Sequence, residues 1–311
     1  MADVTDSAFR KIIAKYGKPD VMWTEFVSAD GLVRATPLGK KKLLKDLEYS
    51  KKEKPIVAQL FSANPEHMFE ASKLVKRLGF DGLDINMGCP DRSIEKQGAG
   101  AAMIKNPKLA REIIHSAKAG FKGPVSVKTR IGYNKDEIET WIPEILKEGV
   151  DALTIHLRTR KEMSNVPAQW GKIKRIIELR NEISPETLIL GNGDAKDLKH
   201  ARELAKATGV DGVMLGRAIF GTPSLFSNSH ELENRDDPKV VKKILKILVE
   251  HTKLFEKEMK GIKNFSIMKK HFKAYVTGFA GAQELRGKLM QTNNAKEVGD
   301  IISCFLKGTV G

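Results

Sequence analysis

Six short runs of this chain end on polar side chains of the types that bind and transform small molecules. Gln59 stands near the end of Ile56–Phe61 (IVAQLF), and Asn86 and Cys89 close Gly82–Cys89 (GLDINMGC). Lys128 and Arg130 close Val125–Arg130 (VSVKTR), and His156 and Arg158 close Ala152–Arg158 (ALTIHLR). Asn192, Gly193 and Asp194 close Leu188–Asp194 (LILGNGD), and Gly216 and Arg217 close Gly212–Arg217 (GVMLGR). One polar strand end means little, but six in succession outline a site. Amides can read the edge of a planar ligand, a thiol can give a proton or attack, and cations can hold negative charge.

Each residue has a plainer reading beside the chemical one. A lone cysteine is more often a small buried hydrophobe than a catalyst. Cys89, however, sits in Asn86-Met87-Gly88-Cys89-Pro90, a tight turn leaving a strand, with Lys128 on the next strand. Nearby cations are expected to lower its pKa and suit it to proton transfer or nucleophilic work. Asp84 reads as a structural carboxylate pairing a neighbouring strand and stays outside the catalytic set. His156, beside Arg158, reads as a ligand contact rather than a satisfied strand-end histidine. Gly191-Asn192-Gly193-Asp194 and Leu215-Gly216-Arg217 are each ordinary turn glycines when taken alone. Together, after the last two strands, they predict a phosphate site built from backbone N–H groups, with Arg217 as a bidentate partner. Neither GxGxxG nor GxxxxGK[ST] occurs, and no Cys/His cluster has zinc spacing, so no metal is expected. Cys304, on a stripe with Ile301 and Phe305, reads as core.

Residues at strand ends need strands that converge. Val21–Ser28 (VMWTEFVS) joins the six runs, and the starts of the seven lie 24 to 43 residues apart, the spacing of βα units. Several runs are apolar at consecutive positions, as in parallel strands covered on both faces. Amphipathic segments lie between them, such as Pro65–Leu78 and Pro107–Ala119. The expected fold is therefore a (βα)8 barrel, whose chemistry sits where the strands end. Asp3–Tyr16 already reads as a helix capped by Thr5 or Asp6, so the first of eight strands is expected to be missing from the chain.

The pattern changes after about residue 228. Pro238–Met259, Phe265–Phe279 and Asn294–Phe305 carry apolar stripes at helical spacing, and no strand signal follows. The expected division is a barrel over 1–228 and a small all-α domain over 229–311. Lys239–Lys273 holds 11 Lys and 3 acidic residues, a net +8. Such a run is most often a solvated face, but on an appended helical domain it also fits a nucleic-acid footprint.

The whole chain agrees with this reading. Its 311 residues carry +15 at pH 7, with 41% hydrophobic and 6% aromatic residues, enough for a core and against wholesale disorder. No apolar run is long enough to span a bilayer, and Met1–Arg10 reads as no signal peptide. Two cysteines make no disulfide framework, so a reducing, cytoplasmic compartment is expected.

These motifs resemble a known family. MADVTDSAFR, VAQLF, DGLDINMGCP, QGAGAAM at Gln97–Met103, VSVKTR, TIHLRTR, LILGNGD and DGVMLGRAIFGTP occur in the order found in the tRNA-dihydrouridine synthases. They cover about residues 1–226, and Gly281–Val298 is similar to that family's C-terminal helical domain. The resemblance implies an FMN-dependent barrel with a helical tRNA-binding domain, and a monomer is expected. It implies that NADPH or NADH drives reduction of the uridine C5=C6 bond to 5,6-dihydrouridine. It places Cys89 as proton donor to C5 and Asn86 on the uracil edge, and Arg158 is expected to contact substrate. It also implies flavin contacts from Met1, Ala2, Gln59, Lys128 and His156, with Lys128 stabilising negative charge on the reduced ring. Asn192, Gly193, Asp194, Gly216 and Arg217 would hold the flavin phosphate. Two departures stand out: the family's first strand precedes the position of Met1, and Lys161–Trp170 (KEMSNVPAQW) lacks the usual aromatic-and-glycine pattern. The alternatives are another FMN barrel oxidoreductase acting on a small pyrimidine or enoate, and a non-catalytic tRNA-binding protein.

Overall fold

The computed structural model describes residues 1–227, 232 and 234–308, so the expected division at 228 lies outside the described residues. Seven strands form one sheet in sequence order: β1 Met22–Ser28, β2 Ile56–Phe61, β3 Gly82–Met87, β4 Val125–Arg130, β5 Ala152–His156, β6 Leu188–Asn192 and β7 Gly212–Met214. β2 through β7 pair in parallel. Consecutive order without a reversal is the order of a (βα)8 barrel and not of a doubly wound sheet. Among the described residues no pairing joins β7 to β1, so the sheet is an open, curled part of that barrel. β3, β5, β6 and β7 stop two or three residues before the ends of the runs read from sequence. Gly88, Cys89, Arg158, Gly193, Asp194, Gly216 and Arg217 thus lie just beyond the strands, together with Leu157 and Leu215, whereas Asn86, His156 and Asn192 lie within them.

Local signals explain the helices between strands. Asn64, Asn106 and Asp197 cap Pro65–Arg77, Pro107–Phe121 and Leu198–Thr208 by accepting from a backbone N–H of the first turn, and proline opens the first two. β3 is buried at every position, as expected of a strand covered on both faces. The starts of the strands are latched by aspartates. Asp81, Asp151 and Asp211 each stand just before a strand, and their carboxylates accept from the N–H of Ile56, Val125 and Ile189 on the preceding strand at 2.9, 2.7 and 2.7 Å.

The described chain divides into two compact units. One comprises Phe26–Leu47 and Pro55–Arg217, the other Met1–Glu25, Glu48–Lys54 and Ala218–Gly311. The second is built from helices: Ser7–Tyr16, Pro238–Met259, Met268–Tyr275, Ala282–Leu289 and Ala295–Gly308. Ser7–Tyr16 begins later than the sequence reading, and Asp6 is its cap, accepting from the N–H of Phe9 at 2.9 Å. It joins the C-terminal helices through Lys11–Glu258 and Lys15–Glu250 at 2.5 and 2.6 Å. Arg10 and Glu53 form a fully buried ion pair at 2.8 Å. The Phe9 ring stacks on His251 at 4.8 Å and meets the edge of His271 at 4.7 Å. Burial pushes both imidazoles down, His271 to about 3. The helix expected over 265–279 is shorter, a 3-10 turn at Phe265–Ile267 followed by Met268–Tyr275, and the chain turns at Gly278 with φ +76°. Cys304 is exposed, not core. Among the described residues no helix is long and apolar enough to cross a membrane.

Candidate active site

Strand register brings the polar residues of the sheet unit together. Gln59 of β2 stands opposite Asp84 of β3, which stands opposite Ser126 of β4. Asp84 and Asn86 share a face because side chains alternate along a strand, as do Ser126 and Lys128, and Thr154 and His156. Asp84 is fully buried and accepts from Ser126 Oγ at 2.5 Å and Gln59 Nε2 at 2.6 Å. Gln59 Oε1 accepts from Asn86 Nδ2 at 3.0 Å. Asn86 Oδ1 in turn accepts from the backbone N–H groups of Gly88 and Cys89, at 3.1 and 2.9 Å. Burial lifts the Asp84 carboxyl to about 6, against the pull of its two hydrogen bonds and the charge of Lys128.

The Cys89 turn is held from three further directions. Arg130 donates from Nε to the Gly88 carbonyl at 2.8 Å, and from Nη1 to the carbonyls of Thr159 and Met163 at 3.0 Å each. Gly88 passes so close to β4 that a Cβ there would lie 3.2 Å from the Thr129 backbone. Behind the turn, Ala101 N–H donates to the Cys89 carbonyl at 2.9 Å. Its neighbour Gly100 has φ +60°, and a Cβ there would lie 2.8 Å from that carbonyl. Cys89 is half-buried and packs against Phe61, Ile94 and Ala99. Burial raises the thiol pKa, outweighing a backbone hydrogen bond and the charges of Arg130 and Lys128. This corrects the expectation that neighbouring cations lower it: desolvation wins, and the group remains a thiol.

On β4, Lys128 lies between Asn86 and Thr154 in the register. Its half-buried ammonium makes no hydrogen bond or ion pair among the described residues. Burial, followed by the charge of Arg130, lowers it to about 8. His156 ends β5 opposite Arg130 and Asn192. Burial and the cations Lys128, Arg130 and Arg158 hold its imidazole neutral, near a pKa of about 2. Arg158 Nη1 lies 3.0 Å from His156 Nε2. A guanidinium can only donate, so Nε2 accepts and the neutral ring carries its proton on Nδ1.

Arg158 is itself buried, and its donors go to His156, the Val166 carbonyl at 2.6 Å and Asp194. The structure thus spends it on orienting neighbours. Asp194, at φ +56°, also accepts from Ala168 N–H and Arg217 Nη2, at 2.9 Å each. Arg158 holds its carboxyl below the usual range. Arg217 remains 64% exposed, so most of its donors are still available. Asn192 Nδ2 donates to the Met214 carbonyl at 2.7 Å, tying the end of β6 to the end of β7. Gly193, at φ +128°, leaves no room for a side chain, since a Cβ would lie 2.7 Å from that of Ala168 and 3.3 Å from the His156 ring. Trp170 Nε1 donates to its carbonyl at 2.9 Å.

Gln59, Asn86, Cys89, Lys128, His156, Arg158, Asn192, Gly193, Asp194, Gly216 and Arg217 all belong to the sheet unit, whereas Met1 and Ala2 belong to the helical unit. There the Met1 amino group donates to Thr5 Oγ1 at 2.8 Å. Sequence reasoning gave no role in the site to Arg130, which holds the Cys89 turn, or to Asp84, which anchors Gln59. The signal for Asp84 was its place two residues before Asn86, on the same strand face. Arg130 was visible as a strand end, but its partners lie on loops far away in sequence.

A family model described as "Dihydrouridine synthase (Dus)" matches residues 1–308. A "Probable tRNA-dihydrouridine synthase" of Staphylococcus aureus (strain COL) is 42% identical over 307 residues, covering 98% of this chain and 91% of that protein. The "Probable tRNA-dihydrouridine synthase 2" of Bacillus subtilis (strain 168) is 41% identical over 307 residues, covering 98% and 92%.

Proposed function

The chain belongs to the dihydrouridine synthase family, and from that premise we propose that its sheet unit holds FMN and reduces the C5=C6 bond of a tRNA uridine with Cys89 as proton donor. The observation that carries the assignment of Cys89 is a half-buried thiol on a turn fixed by Asn86, Arg130 and the Gly100 segment.

The residues present fit a flavin mononucleotide. Lys128 offers a half-buried ammonium without a hydrogen-bond or ion-pair partner among the described residues, suited to negative charge on a reduced ring. Gly193 keeps the loop after β6 bare of side chain, and Arg217 presents an exposed guanidinium beside it, suited to a phosphate. His156 offers an Nδ1–H donor to a ring carbonyl, while Arg158 fixes its tautomer. Gln59 completes the contact set, and Asn192, Asp194 and Gly216 shape the phosphate loops. When bound, FMN supplies the hydride that adds to uridine C6, drawing its electrons from NADPH or NADH.

The protein's own groups complete the addition. The Cys89 thiol gives its proton to C5, and a raised pKa suits a donor that must be protonated before the step. Asn86 spends one amide hydrogen on Gln59 and keeps the other for a uracil carbonyl. Uridine in folded tRNA is stacked, so it must be extruded, at a cost of about a few kcal/mol. The +8 run Lys239–Lys273 holds phosphates and positions the RNA without reading its bases. In this reading the protein acts as a monomer.

Purified protein should show flavin absorption bands, release FMN on denaturation, and form dihydrouridine in unmodified tRNA supplied with NADPH or NADH, read by mass spectrometry. Cys89→Ala should keep the flavin and lose nearly all product. Loss of flavin in that variant, or turnover of free uracil as fast as of tRNA, would refute the reading.

A further inference from the structure

We propose that the pocket at the C-terminal end of helix Pro238–Met259 takes one unstacked nucleotide of the bound RNA, its base against the Phe265 ring and its phosphates against Lys253, Lys257 and Lys260. The proposal rests on the reading of tRNA as partner and adds to it a contact with a base.

Local structure builds the pocket. The helix ends where Gly261 turns the chain at φ +74°, and the N–H groups of Ile262 and Lys263 both close on the Met259 carbonyl, at 2.9 and 3.0 Å. Asn264 then caps the turn Phe265–Ile267, accepting from Ser266 N–H at 2.8 Å. The chain doubles back on the helix, and the Phe265 ring meets that of the buried Phe255 at 70°, with centroids 6.5 Å apart. Phe255 and Phe265 line a pocket of about 560 Å³ with the lysines, a size within the range of small-molecule sites. A Cβ on Gly261 would meet nothing within 4 Å, so the turn leaves that side open.

The walls carry the two halves of a nucleotide site. Lys253 and Lys257, four residues apart, share a helix face and lie about 6 Å apart along its axis. Lys260 follows at the helix end. All three are exposed and make no hydrogen bond or ion pair among the described residues. The other charges of the pocket are engaged: Lys263 pairs with Glu25 at 2.5 Å, and Glu256 accepts from Ala295 N–H at 3.0 Å. The double closure on the Met259 carbonyl weakens the repulsion that a helix C-terminus offers an anion. Phe265 is half-buried; it packs on Phe255 and Phe272 and still lines the pocket. A packing role alone needs neither an open pocket beside the ring nor three uncommitted cations around it. A free phosphate would leave the ring unused, and an apolar ligand would leave the cations unused; a phosphodiester-linked base uses both. Every base has a face that stacks, so such a contact grips the strand without reading its sequence.

The test is filter binding of unmodified tRNA by the full chain at several salt concentrations. Phe265→Leu keeps an apolar side chain and removes the aromatic face. It should weaken binding about 5-fold or more and leave the logarithmic salt slope unchanged, because no cation is lost. Lys253→Gln with Lys257→Gln should instead flatten that slope by about 1.4, two contacts at about 0.7 each on a single strand. Phe265→Trp restores a ring and should bind within about 2-fold of wild type. Its added indole emission, taken as the difference from wild type, should be quenched by tRNA. Wild-type affinity in Phe265→Leu, an unchanged slope in the lysine pair, or no quenching in Phe265→Trp would overturn the proposal. Quenching by UMP or NADPH at the concentrations where tRNA quenches would make this a pocket for free nucleotides, and overturn the RNA occupant. If Phe265→Leu does not fold, the quenching and the lysine slope decide. Binding needs neither flavin nor turnover. A wild type that binds tRNA yet forms no dihydrouridine sinks the reductase reading and leaves the pocket standing, whereas one that binds no tRNA sinks both.

Discussion

Arg130→Lys keeps the charge and removes the fork, which makes it a direct test of how the Cys89 turn is held. The guanidinium joins three carbonyls, Gly88 O at 2.8 Å and Thr159 O and Met163 O at 3.0 Å each. It is buried, so the cost of an unmade bond is not returned by water. An ammonium is a single point and cannot reproduce the planar geometry that reaches all three. Losing two charge-assisted bonds at the low end of about 1.5 kcal/mol each gives about 3 kcal/mol of lost stability. Urea unfolding of the wild type and the variant at neutral pH measures this directly. A thiol displaced by about 1 Å should lower kcat for dihydrouridine formation by about 100-fold, while KM for tRNA and FMN content stay near wild type. The reasoning is refuted if the variant loses stability but keeps wild-type kcat, because the turn would then not depend on the fork. Loss of flavin with no change in the chemical step would place Arg130 at the cofactor instead.

Gly193→Ala should reduce FMN affinity at least about 10-fold, since the position has φ +128° and the new methyl would stand 2.7 Å from Ala168 Cβ; flavin fluorescence titration reads it. Acid stability should depend on the histidine pair of the helical unit. His251 has its folded pKa depressed below the ordinary 6.5, so the unfolded chain takes up the extra proton and stability falls as pH drops below about 6.5. His251→Phe should therefore lessen the loss below pH 6 by about 1.4 kcal/mol per pH unit, in urea titrations from pH 6.5 to 4.5. Asp6 and Asp84, raised to about 6, act in the opposite sense, because the folded state holds their protons between the ordinary 3.8 and 6. Lys269→Glu together with Lys270→Glu should weaken tRNA binding and flatten its logarithmic salt dependence by about 1 to 2, read by filter binding at several salt concentrations.

Much of the fold was legible because the runs between Ile56 and Met214 are apolar at consecutive positions and are spaced as βα units. The site was legible because its polar residues stand where those runs end. What could not be read was the consequence of register. Asp84 looked like a spare carboxylate until β2 and β4 set Gln59 and Ser126 on either side of it. The thiol pKa was misjudged because charges are visible in a sequence and desolvation is not. Cys304 looked like core because it neighbours Ile301 and Phe305, yet it is exposed at the edge of that stripe. The partners of Ser7–Tyr16, Glu250 and Glu258, lie more than 200 residues away in sequence, beyond any local pattern.

The aspartate latches at the strand starts have a consequence for how this sheet can be rearranged. Asp81 clasps β2 to β3, Asp151 clasps β4 to β5, and Asp211 clasps β6 to β7. No latch of this kind is recorded from β3 to β4 or from β5 to β6 among the described residues. The sheet is thus modular, three two-strand cassettes set side by side, each locked at the end away from the chemistry. A chimera spliced with a relative between β3 and β4, or between β5 and β6, keeps every clasp within one parent. A junction inside a cassette must recreate one.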